Sequence, residues 1–87
     1  MKYYAVRLCD GRYVSIKRNG SKLFAQLMAL PDRRRRTADY EKAKRVHARL
    51  VQGESLWRKT PRNEFGLSLI VQEHQHLESS IVELTVT

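Results

Sequence analysis

Tyr4, Val6 and Leu8 alternate with Tyr3, Ala5, Arg7 and Cys9 at the start of the chain. That is the period of a strand with one face turned to a core. Asp10-Gly11 supplies turn chemistry, and Tyr13-Val14-Ser15-Ile16 resumes the alternation. A two-residue loop at Asp10-Gly11 would pair Leu8 with Tyr13 and scatter the apolar side chains over both faces. A three-residue loop, Asp10-Gly11-Arg12, pairs Leu8 with Val14 and Val6 with Ile16. The second register is the expected one, because a one-residue slip turns the apolar set to water.

Asn19-Gly20 is a stronger turn signal, since both central positions of a type I′ turn need positive φ. Closing on it pairs Ile16 with Leu23 and Val14 with Ala25, and extends the apolar face through Leu27. Residues 2 to 29 are therefore predicted to form a three-stranded antiparallel meander, with Tyr13, Ser15, Lys17, Lys22 and Phe24 on its other side. A short helix from Lys22 to Leu30 competes with the third strand, because Ala, Gln, Leu and Met form helices well. Pro31 ends either element.

Tyr40, Ala43, Val46, Leu50 and Val51 then recur at helical spacing until Gly53, with Thr37 or Asp39 as N-cap. The apolar stripe of this helix should lie on the meander. Ser55 to Thr60 reads as a strand, Pro61-Arg62-Asn63-Glu64 as a turn. Phe65, Leu67, Leu69 and Val71 alternate as a further strand, and Val82, Leu84 and Val86 as the last. The fold class is thus α+β, an antiparallel sheet in β-β-β-α-β-β-β order with one main helix packed on one face. At 87 residues the chain is expected to be a single small domain, too short for two cores or a deep multi-substrate cleft.

Charge changes the picture. All 17 Lys and Arg fall between Lys2 and Arg62, where they face five acids for a net of +12. Residues 63 to 87 hold four Glu and no Lys or Arg, a net of −4. Such polarity points to a polyanionic partner for the basic part. Arg33-Arg34-Arg35-Arg36 is its densest run. A charge run is commonly just a solvated face, but this one precedes a helix N-terminus, where the dipole disfavours cations. It is not there to stabilise that helix. Lys42, Arg45 and Arg49 share one helix face with Lys44 at its flank, and are expected to continue the run in space. Eleven of the 17 cations are Arg, whose planar fork grips phosphate bidentately.

Aromatic rings interleave with these charges. Trp57 precedes Arg58 and Lys59, and Tyr13 and Phe24 fall near Lys17 and Lys22. Rings among cations are what a single-stranded nucleic-acid binder uses, although most rings in small sheets serve the core. Of these, Tyr13 and Phe24 are the candidate stacking residues.

Catalytic signatures are missing. Cys9 has no local base and no helix N-terminus to activate it, and reads as structural. His74 and His76 stand two apart without CxxC or HExxH spacing, so they read as a polar strand end rather than a metal site. The four glycines form no nucleotide cradle. Neither an enzyme nor a cofactor nor a metal is expected. With one cysteine and no apolar run near the roughly 20 residues of a membrane span, a cytoplasmic protein with no membrane partner is expected.

The sequence therefore supports a non-enzymatic basic module that engages DNA or RNA largely without sequence specificity. Its site would be Arg33, Arg34, Arg35, Arg36, Lys42, Arg45 and Arg49, with Lys17, Lys22, Tyr13 and Phe24. An alternative is a phage-encoded inhibitor of the anti-CRISPR type, docking its cationic face on an acidic surface of a nucleic-acid-handling protein complex. A third partner is a second copy of the chain, whose last strand could offer an edge for pairing.

Overall fold

The alternating opening segment forms β1 (Lys2–Leu8), the first of six strands in the computed structural model, which describes residues 1–16, 22–73 and 78–85. It is followed by β2 (Arg12–Val14), β3 (Leu23–Leu27), the helix α1 (Tyr40–Val51), β4 (Leu56–Lys59), β5 (Ile70–Glu73) and β6 (Ser79–Thr85). The protein is α+β, one helix on a six-stranded mixed sheet of spatial order β5-β4-β3-β2-β1-β6.

The expectation of an antiparallel sheet fails at one pair. β3 and β4 run parallel, Leu23 opposite Leu56 and Phe24 opposite Trp57. The cause is α1, which lies between them in the chain. Parallel neighbours need a crossover connection, and the segment that carries α1 provides one.

The first hairpin differs from expectation by an even step. Arg7 faces Tyr13, which puts Val6 opposite Val14 and makes the loop Cys9-Asp10-Gly11. Gly11 has φ 93°, so it takes the left-handed third position that a three-residue hairpin loop reserves for glycine. A two-residue shift keeps side-chain parity, and Val6, Leu8 and Val14 still share the buried face. The β2–β3 register is the expected one, with Val14 opposite Ala25. Asn19 and Gly20 lie outside the described residues. Residues 23–27 are strand, not helix: Leu23 and Ala25 are buried at strand spacing, and that packing overrides helix propensity.

Among the described residues, nine buried side chains form the main core cluster: Val6, Leu8, Val14, Ile16, Leu23, Ala25 and Leu56 from the sheet side, with Ala43 and Val46 from α1. Asp39 caps α1, its side chain accepting from the Glu41 amide, and Gly53 turns the chain away at φ 91°. Thr37, the other cap candidate, is buried elsewhere. The helix packs on β1 and β6, at one end of the sheet, rather than across the meander. Leu27, beyond its reach, is 69% exposed, so the apolar face stops short of the expected limit.

The expected strand from Phe65 begins only at Ile70. Phe65, Leu67 and Leu69 are all largely exposed. Phe65 and Leu67 belong to a turn in which the Asn63 side chain accepts from both their amides and the Asn63 amide donates to the Leu67 carbonyl at 2.8 Å, and Leu69 follows it, its amide donating to Thr60 Oγ1. Among the described residues no helix is long and apolar enough to cross a membrane.

Candidate functional site

The arginine run is set by an exchange of strand partners. The β1–β2 register would place Ile16 opposite Tyr4. Instead, Tyr4 exchanges both backbone hydrogen bonds with Thr37, at 2.7 and 2.9 Å, and the Ile16 amide donates to the Arg34 carbonyl at 2.8 Å. Residues 34–37 therefore fill the cleft where β2 diverges from β1. Thr37, paired with Tyr4, points to the helix side and is buried. Arg36 points the other way, and its guanidinium lies 4.7 Å from the centroid of the Tyr3 ring.

The four arginines thus have separate fates. Arg33 and Arg34 are exposed. Arg35 is tied down, its side chain 12% exposed and Nη1 donating to Asp32 Oδ2 at 2.9 Å, while its Nε is buried with no hydrogen-bond partner among the described residues. Arg36 is half-buried on Tyr3.

On the same helix-free side, strand alternation aligns Phe24 with Trp57 across the parallel pair. Both rings are half-buried, and Lys22 Nζ sits 4.4 Å above the Trp57 ring. Beside them runs a groove of about 860 Å³. Lys22, Arg34, Arg35, Arg58 and Lys59 line it against a single carboxylate, Asp32, with Phe24 among its apolar contacts. Among the described residues no carboxylate pairs with Lys22, Arg34 or Lys59. Arg58 reaches Glu73 at 3.3 Å.

The helix stripe is not part of this surface. Lys42 and Arg45 are exposed on α1, which packs on the opposite face of the sheet from Arg36 and Phe24. Arg49 is half-buried and paired with Glu54 through two short hydrogen bonds. The expected continuity of arginine run and helix flank is therefore broken by the sheet itself. Tyr13 also departs from expectation: at 7% exposure, on a central strand between Arg7 and Gln26, it presents no ring face for stacking. Lys17 lies outside the described residues, as do His74 and His76.

Sequence reasoning missed Arg58 and Lys59 as groove residues, and Tyr3 as a ring under Arg36. Arg58 and Lys59 come beside Phe24 only through the parallel β3–β4 pair. The signal for that pairing was the helix between the two strands, which calls for a crossover.

Several charges are consumed internally. Arg12 Nε binds Asp10 at 2.7 Å and its Nη1 binds Glu73 at 2.8 Å. Partial burial opposes the Arg12 charge, but Glu73 and Asp10 outweigh it and push the guanidinium pKa up. Burial likewise raises Asp10, and hydrogen bonds from Arg12 overcome it to hold the carboxyl below its ordinary value. The Arg49 hydrogen bonds hold Glu54 below the usual carboxylate range. His47 Nδ1 is 2.7 Å from Ser79 Oγ, so it ties α1 to β6. Cys9 is exposed rather than packed in the core. No cluster of three metal-ligating side chains occurs among the described residues.

The chain matches no family model, no curated protein and no solved structure. The functional reading accordingly rests on the groove, with Phe24 in its lining and Trp57 next to Phe24 on the adjacent strand.

Proposed function

We propose that the protein is a non-enzymatic nucleic-acid-binding module that grips the phosphate backbone largely without sequence specificity. The observation that carries this reading is the groove lining, five cations against one carboxylate, with no carboxylate paired to Lys22, Arg34 or Lys59 among the described residues. Cations left without carboxylate partners in a concave site attract a polyanion and release its counterions on binding. Phosphate contacts position a ligand and carry no base information, hence the weak sequence preference. Arg33 is exposed next to Arg34 in the chain, and Arg36 lies over Tyr3 on the same side of the sheet. The helix cations Lys42 and Arg45 contribute only through the long-range field.

The test is binding of a labelled 20-mer across a salt series. Each neutralised phosphate adds about −0.9 to the log–log slope for a duplex and about −0.7 for a single strand. With four or five cations engaged, a slope of about −3 to −4.5 is expected. Binding that is flat in salt, or absent at low salt for both DNA and RNA, overturns the proposal.

One observation favours a second reading, in which the protein docks on a nucleic-acid-handling protein complex as an anti-CRISPR-type inhibitor would. Phe65, Leu67 and Leu69 expose apolar surface on and just after an ordered turn. Exposed apolar side chains close together in the chain are a feature of protein contact sites. Capture from lysate that survives nuclease treatment would favour this reading over the first.

A further inference from the structure

We propose that the strand bound in the groove is single, and that Trp57 is a platform on which one of its bases stacks. This rests on the nucleic-acid reading above and adds the ligand's strand state and a role for one ring. Three observations support it.

First, the cations line a concavity rather than a protruding element. A duplex is read by a helix or ribbon that enters its groove, whereas a flexible single strand can itself enter a groove in the protein. The segment bearing Arg34 and the strand bearing Lys59 both contribute to this concavity, and Phe24 lies between.

Second, the rings sit beside the charges. Phe24 and Trp57 are register partners on adjacent strands, so two ring positions lie one strand spacing apart. A duplex hides its base faces in the stack. A single strand offers them, and each stacks on a ring whatever its sequence.

Third, the Trp57 ring is already held by a cation. Lys22 Nζ lies 4.4 Å above it, and Lys22 is exposed and lines the groove. A base arriving on the ring displaces the ammonium, and the ammonium moves to the phosphate that accompanies that base. Neither charge is left unpaired by the exchange, so stacking and phosphate binding occur together.

Trp57 is the only tryptophan, and the intrinsic fluorescence of the protein reports directly on its ring. The experiment is a fluorescence titration at low salt with a thymidine 12-mer, a uridine 12-mer and a mixed-sequence duplex of equal length. Saturable quenching by at least one single strand, with the duplex weaker and without quenching, is the expected result. Trp57→Leu should weaken single-strand binding by about fivefold to 150-fold, measured by anisotropy of the labelled strand. Trp57→Phe should recover most of that loss. A circular dichroism melt shows that each variant is folded, and Lys22→Ala gives a second reading at an exposed position, with weaker binding and quenching retained.

Equal binding of duplex and single strand with no fluorescence change overturns the single-strand assignment while the nucleic-acid reading stands. Failure of every oligonucleotide to bind overturns both.

Discussion

Both faces of the sheet carry cations, and they use them differently. On the helix-bearing face, Lys42 and Arg45 project into solvent from α1, and Arg49 is spent on Glu54. Beneath them lie the core side chains, with Val6 and Val14 fully buried. On the other face, Lys22, Arg34 and Lys59 gather around a groove beside Trp57 and Phe24, without carboxylate partners among the described residues. The buried core lies on the first face, and the groove proposed to bind lies on the second. A count of charges does not separate them; concavity, cations without carboxylate partners and adjacent rings do.

The comparison is broken most sharply from the groove side. Replacing Lys22, Arg34 and Lys59 together with Ala should lower oligonucleotide affinity by about a thousandfold, at about 1.5 kcal/mol per charged contact. The melting temperature should barely move, since exposed substitutions stay within about 0.5 kcal/mol. Arg35 is left out of that variant because its bond to Asp32 and its buried Nε make it part of the local structure. Substituting all four arginines would therefore mix binding with folding.

The converse change lies under the helix. Leu8, 2% exposed in the core, should cost about 2–5 kcal/mol when truncated to Ala, read by urea denaturation. At temperatures where that variant remains folded, its oligonucleotide affinity should match that of the parent. Leu50 is only half-buried against the same cluster and should cost less.

The smallest effect separates a consumed helix cation from a free one. Glu54 has a folded-state pKa below its ordinary 4.5, held there by Arg49. Its stabilisation is therefore present above the unfolded value and lost as pH falls through the folded one. The pair is partly exposed, so about 0.2–1 kcal/mol is expected. Glu54→Gln should remove that much stability at pH 7 and leave the variant equal to the parent at the acid end, in urea melts across pH 7 to 3.

Much of the fold was legible from alternation and turn chemistry. Val14 opposite Ala25, the helix ending before Gly53, and the apolar face of β1 all follow from local pattern. The parallel β3–β4 pair was not, because alternation is blind to which strand lies alongside. Phe65, Leu67 and Leu69 alternate as a buried strand would, yet their side chains stay largely exposed, so their pattern reports no burial. The site was half legible. Lys22, Phe24 and Arg34 could be named from charge and parity, but Arg58 and Lys59 join them only through the crossover. The separation of run and helix stripe depends on Thr37 taking the place of Ile16 beside Tyr4, an exchange no local pattern encodes.

The account turns on which face binds, and one side-by-side titration decides it. The groove variant is compared with Lys42→Ala/Lys44→Ala/Arg45→Ala at about 150 mM salt, where the field beyond roughly 8 Å is screened. The account predicts that the groove variant loses binding while the helix variant stays within about twofold of the parent. Loss in the helix variant with the groove variant unaffected would contradict it.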